Sequence, residues 1–174
     1  MKRLVLTAVI STTLLTGCLT SKPAVEEPAK VYHLSFSDAD AMKVTTETCK
    51  KTTEQDIIDL FDRWNTALKS GNPNRIVVYY GYEAVFLPDQ SNKVHLTSAD
   101  KRAYFREFMA KKPNATIDFR KIEINCNTAT DTGLYTFTYG KSAEKTSARY
   151  TYNYKWNGKQ WLITSHHSSV MPVK

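Results

Sequence analysis

An α+β fold, with helices first and a long-stranded antiparallel sheet after them, is what this 174-residue sequence predicts. Three observations carry that reading. Ile57, Phe61, Trp64 and Leu68 recur at helical period, with Leu60 and Ala67 widening the apolar stripe. From Ala115 onward the pattern changes to alternation, as in "ARYTYNYKW", where Tyr150, Tyr152, Tyr154 and Trp156 share one face. Asn157-Gly158 then gives the strongest short hairpin signal in the chain.

The first element is a leader. "MKRLVLTAVISTTLLTGC" has Lys2 and Arg3, an apolar run from Leu4 to Leu15, and small residues before a cysteine, so residues 1–17 read as a secretory signal. The run is well short of the ~20 residues of a spanning helix. Leu15-Thr16-Gly17-Cys18 resembles the bacterial lipobox, in which cleavage precedes the cysteine and its sulfur and amine are acylated. Each buried CH₂ contributes about 0.8 kcal/mol and a single acyl chain binds only marginally, so two or three chains are an anchor. Leu19 at the next position implies, by the same resemblance, the periplasmic face of the outer membrane. Residues 18–48 are then lipidated cysteine and tether, with "LTSKPAVEEPAK" Pro-containing and charged. Tyr32, Leu34 and Phe36 alternate, which fits either a short strand or linker.

The whole chain carries 24 basic and 17 acidic residues, and removing Lys2 and Arg3 leaves 22 against 17, or +5. The charges are mixed, with no basic run interleaved with aromatics, so nucleic acid is not an expected partner. With Cys18 lipidated, Cys49 and Cys126 remain. In an oxidising compartment they read as one disulfide, or else as free thiols or a redox pair; the lack of Cys-x-x-Cys favours a structural bridge.

Residues 49–172 are expected to form one domain. Thr52 and Gln55 stand at capping-box spacing before the first helix, which Gly71 and Pro73 stop. Asn72 and Pro73 open a short second helix, "EAVFLP" is a strand, and Thr97 or Ser98 caps a third helix with Tyr104, Phe105, Phe108 and Met109 inward. "ATIDFRKIEIN" switches apolar phase between Phe119 and Ile122, which predicts a β-bulge. "GLYTFTY" puts Tyr135, Phe137 and Tyr139 on one face, and "KQWLITSHHSSV" is the last strand.

A two-residue turn at Asn157-Gly158 sets Tyr154 opposite Trp161, Arg149 opposite His166 and Ala148 opposite His167. Successive strand residues point to opposite faces, so the adjacent histidines cannot both ligate one metal, and no metal or cofactor is expected. On this register His167 joins the Trp161 and Ile163 face, while His166 joins Arg149 on a polar one. Arg149 there would favour a neutral imidazole, giving an anion- or hydroxyl-binding pair or a plain cross-strand pair. Asp59 and Asp62 read as a solvated helix face, and Asp131 in "ATDTG" as turn chemistry. Ser168 and Ser169 lack a nucleophile's setting.

The series "LFDRWNTALKSGNP", "YYGYEAVFLPDQSN", "YFREFMAKKP", "CNTATDTGLYTF", "ARYTYNYKW" and "WLITSHHSSVMP" resembles bacterial members of the nuclear transport factor 2-like superfamily. Within it the chain is similar to SnoaL-like proteins and to the association domain of calcium/calmodulin-dependent protein kinase II, over roughly Cys49 to Pro172. The resemblance implies a cystatin-like cone, a curved antiparallel sheet against helices with a pocket at its open end. It also implies pairing of Cys49 with Cys126. Enzymes of the superfamily place an Asp or His base in the cone, for which Asp131, Asp118 and His166 are the candidates here. The kinase association domain has pocket arginines; Ser168 stands in place of one, and Thr151 in place of another, with Arg149 two residues away. His167 matches a histidine of that domain.

The expected function is a lipid-anchored envelope protein binding a small molecule or partner and forming a homodimer or higher oligomer. Arg149, His166, His167, Tyr135 and Ser168 are the candidate ligand-binding residues. The alternatives are a cofactor-free isomerase, cyclase or hydrolase with a pocket His or Asp as general base, and a structural assembly module. No catalytic residue is assigned.

Overall fold

The computed structural model describes residues 30–35, 43–89, 91–140 and 144–172. The leader, Cys18 and most of the tether lie outside the described residues. Within the stretch expected as tether, β1 (Lys30–Ser35) and β2 (Lys43–Thr48) form a separate antiparallel pair.

Helix α1 (Glu54–Lys69) is capped one residue later than expected. Thr53, not Thr52, accepts from Asp56 N at 3.2 Å, and Asp56 Oδ2 accepts from Thr53 N at 2.8 Å, so the reciprocal box uses Asp56 rather than Gln55. Its stripe of Ile57, Leu60, Phe61, Trp64, Ala67 and Leu68 is buried as the periodicity requires. Asn72 caps α2 (Pro73–Val77), and Thr97 caps α3 (Ser98–Ala110) by accepting from Asp100 N at 3.0 Å.

The remaining strands are β3 (Tyr80–Leu87), β4 (Pro113–Asn125), β5 (Thr128–Tyr139), β6 (Lys145–Trp156) and β7 (Trp161–Val170). They form a curved, unclosed sheet in the order β3-β7-β6-β5-β4. Three of its four pairings are antiparallel hairpin neighbours, but β3 runs parallel to β7, so the sheet is mixed at one edge. The long return from β3 through α3 and three strands is what permits a parallel pair.

The expected bulge exists, slightly earlier than its signal. Ile117 pairs with Tyr135 and Phe119 with Leu134, leaving Asp118 as the extra residue. Beyond it Phe119 is turned out, 58% exposed, and Arg120 is turned in. Gly133 sits against this bend, where any Cβ would overlap the Phe119 carbonyl oxygen. That close approach explains the glycine, and it corrects the turn reading of "ATDTG". Asp131 is mid-strand and fully buried, with Oδ1 accepting from Arg120 Nε at 3.2 Å and from Tyr150 OH at 2.9 Å.

Cys49 and Cys126 are joined by a disulfide. Beside it Asn127, in the left-handed region at φ 58°, donates to Glu47 Oε1 at 2.6 Å and to the Thr48 carbonyl at 3.1 Å, and accepts from Lys50 N at 2.8 Å. Together these tie the entry to α1 onto the β4–β5 turn.

Candidate functional site

Between α3 and the inner sheet face lies a cavity of about 620 Å³, at the end where β3, β5 and β7 finish and β6 begins. That volume suits a small organic molecule. The walls are aromatic: Tyr104 and Phe108 from α3, Tyr135 and Phe137 from β5, Phe86 from β3 and Trp64 from α1. His166 and Ser168 are the polar side chains that β7 contributes, and Asp89, Glu107, Lys111 and Glu144 are the charged ones.

The position of His166 follows from two departures in the last hairpin. The turn spans four residues, Asn157 to Gln160: Asn157 Oδ1 accepts from Lys159 N and Gln160 N at 3.0 and 2.9 Å, and Trp156 pairs with Trp161. That shift of two keeps every side chain on its expected face. A bulge then follows, because Tyr154 pairs with Ile163 but Asn153 with Ser165. The extra residue, Thr164, reverses the phase of everything after it. His166 therefore lies opposite Tyr152, inside, and His167 opposite Thr151, outside.

Inside, His166 is 2% exposed and stacked on Tyr152 at 4.1 Å between ring centroids. Trp64 Nε1–H donates to the Tyr80 hydroxyl at 3.1 Å, and that hydroxyl lies 2.8 Å from His166 Nδ1. Indole is a donor only, so Tyr80 accepts from it and donates its one proton onward. Donating to Nδ1 is the arrangement that keeps the buried Tyr80 O–H paired, so we assign Nδ1 as the unprotonated nitrogen and place the proton of the neutral ring on Nε2. Burial, with His167 adding a smaller effect, pushes the His166 pKa down to about 3. The ring is thus neutral, and its buried Nε2 has no hydrogen-bond partner among the described residues. Nearby, Tyr135 donates to Ser168 Oγ at 2.6 Å, which leaves Ser168 its own O–H to donate.

Of the five residues expected at a ligand, Tyr135, His166 and Ser168 line the cavity. Arg149 and His167 do not: both are exposed on the outer face, Arg149 opposite Ser169, because the register and bulge separate them from His166. Asp131 belongs to the buried Arg120–Tyr150 cluster and is not part of the cavity wall, and exposed Asp118 accepts from Thr136 at 2.7 Å. Burial raises the Asp131 pKa from its ordinary value, with Arg120 and Tyr150 opposing. Tyr80, which orients His166, lies 86 residues from it in sequence, so no local pattern points to the pair. The phase reversal did leave a trace: Ile163 and cavity-lining Val170 stand an odd number of residues apart.

Residues 53–172 match the calcium/calmodulin dependent protein kinase II association domain family. A crystal structure described by that same domain name, from Xanthomonas campestris, is 37% identical, with a TM-score of 0.67 over 71% of this chain and 91% of the other. A nuclear transport factor 2-like protein from Pseudomonas putida superposes with a TM-score of 0.61 at 18% identity, covering 70% and 87%. A nuclear transport factor 2-like protein from Streptomyces avermitilis, described as a dehydratase, gives 0.62 at 11% identity, covering 68% and 96%. At those identities the likeness is one of fold. None of the curated proteins searched matches the chain.

Proposed function

The chain belongs to the calcium/calmodulin-dependent protein kinase II association-domain family, and from that premise we propose that it is an exported, lipid-anchored envelope protein whose domain binds a small molecule. The observation that carries this is an aromatic cavity with His166 in its wall, its buried Nε2 without a partner among the described residues. A buried donor without an acceptor costs about 1–3 kcal/mol, and a ligand oxygen placed there recovers it. The aromatic walls supply apolar area, and Ser168 a second donor.

The same geometry counts against His166 as general base. A base works best with a pKa near the working pH, whereas His166 is held at about 3 with its basic nitrogen already bonded to Tyr80. Asp131 is committed to Arg120 and Tyr150, away from the cavity wall.

The lipobox-like Leu15-Thr16-Gly17-Cys18 supports the anchor, and the Cys49–Cys126 disulfide supports an oxidising compartment. No helix among the described residues is long and apolar enough to cross a membrane. Phe119, 58% exposed on the outer face of the edge strand β4, supports self-association through the sheet.

Native mass spectrometry of the protein purified from the envelope tests the reading. A retained small molecule on the wild type, lost in His166→Phe, is the expected result. An empty cavity in both under gentle release removes its support. Incorporation of labelled palmitate, abolished by Cys18→Ser, is expected in the same preparation.

A further inference from the structure

The charged residues around the cavity run against the sign of the protein. The whole chain is +7, yet the cavity's lining holds Asp89, Glu107 and Glu144 against Lys111 alone among the described residues. Arg149, the expected anion partner, is on the other side of the sheet. Asp89 is held in place at the ends of β3 and β7, its Oδ1 accepting from Val170 N at 3.0 Å. Its field reaches the walls: after burial, the Asp89 carboxylate is a cause of the raised Tyr104 pKa, and a lesser one for Tyr135.

Carboxylates alone would not make a site, but His166 gives an independent sign of a ligand. It is 98% buried, lines the cavity and has an Nε2 without a partner among the described residues. The interior groups, His166 Nε2–H and Ser168 O–H, are both donors and ask for an oxygen acceptor, which the nearby Asp89 and Glu107 carboxylates favour uncharged. The walls between them and the carboxylates are π-faces, which attract cations. Donors deep, rings between and carboxylates at the edge describe one kind of molecule.

Resting on the ligand-binding reading above, we infer that the cavity takes a small organic cation, an amine or quaternary ammonium carrying an aromatic or aliphatic body and an uncharged oxygen. The oxygen accepts from His166 and Ser168, the body packs on Tyr104, Phe108 and Phe137, and the cationic head lies by Asp89 and Glu107. A carboxylate in the head's place meets like charge. The arrangement sorts ligands by the sign of one end.

Three matched probes test this on the whole purified protein by ligand-observed NMR titration at low salt: tyramine, 4-ethylphenol and 4-hydroxyphenylacetate. They share a phenol and differ in the charge at the other end. Tyramine is expected to bind about tenfold or more tighter than 4-hydroxyphenylacetate, with 4-ethylphenol between, and added salt narrows the gap. Glu107→Gln, at an exposed helix position where folding is safe, is expected to weaken tyramine and leave 4-ethylphenol unchanged. Asp89→Asn should act in the same direction. His166→Phe should weaken all three. Binding of 4-ethylphenol with equal or tighter binding of 4-hydroxyphenylacetate overturns the cation inference and leaves the cavity reading standing. Binding of tyramine that ignores both Glu107→Gln and His166→Phe places it elsewhere and overturns the inference. If none of the three binds at millimolar concentration, the ligand-binding reading itself fails and takes this one with it.

Discussion

Replacing Tyr80 by Phe removes one oxygen and little else. The ring keeps its contacts with Phe86 and Phe105, at 5.7 and 6.0 Å between centroids, so no apolar burial is lost. Two hydrogen bonds go with the hydroxyl, from Trp64 Nε1 at 3.1 Å and to His166 Nδ1 at 2.8 Å. Both orphaned groups sit in the core, Trp64 1% and His166 2% exposed, where water cannot replace the partner. At about 1–3 kcal/mol for each of the two stranded polar groups, the cost is about 2–6 kcal/mol. Against a total stability of about 5–15 kcal/mol that is a large fraction. Urea unfolding followed by circular dichroism should show the midpoint fall with little change in slope. A double-mutant cycle with His166→Phe should return a coupling of about 1 kcal/mol or more, since the imidazole no longer needs the hydroxyl. A loss for Tyr80→Phe below about 1 kcal/mol would refute the idea that this hydroxyl holds a buried donor chain.

The depressed His166 pKa makes a pH prediction of definite sign. Unfolded, the ring takes up a proton below its ordinary 6.5, while the folded protein refuses it until about 3, so stability is full above 6.5 and lost as pH falls toward 3. Between pH 7 and pH 5 this amounts to about 2 kcal/mol, and His166→Phe should lose that part of the slope; parallel curves for the two proteins would contradict it. Gly133→Ala should destabilise by about 1–3 kcal/mol or more through overlap with the Phe119 carbonyl, and an unchanged melting temperature would show that the bulge yields freely. Removing the disulfide with Cys49→Ser and Cys126→Ser opens a loop closed across 77 residues. The expected cost is about 4 kcal/mol, read as a lower urea midpoint and mimicked by reductant on the wild type.

How far the sequence reaches depends on the range of the interaction concerned. Thr97, Asn72-Pro73 and the α1 stripe act within a turn or two, and they sit where the pattern places them, apart from the one-residue slip from Thr52 to Thr53. The aromatic faces of β5 and β6 are legible for the same reason, since period two needs no knowledge of the partner strand. The two histidines were harder. Asn157-Gly158 marks a turn but not its length, and the Thr164 bulge exchanges inside for outside just before the residues that matter. One unpaired residue therefore moved His166 into the cavity and left Arg149 and His167 on the other face. The parallel β3–β7 pair and the Tyr80–His166 bond join parts of the chain more than seventy residues apart, and no local preference encodes them. Asp131 is not legible as a strand residue because the glycine two residues later answers to Phe119 across the sheet and not to a turn.

The protonation of His166 bears most directly on the cavity's chemistry, and long-range ¹H–¹⁵N correlation of the imidazole reads it nitrogen by nitrogen. With Tyr80 donating to Nδ1, the ring carries its proton on Nε2 and leaves Nδ1 bare, unchanged from pH 8 down to pH 5. A ring that becomes an imidazolium near pH 6, or one whose proton sits on Nδ1, would contradict the Trp64–Tyr80–His166 chain and with it the donor offered to a ligand.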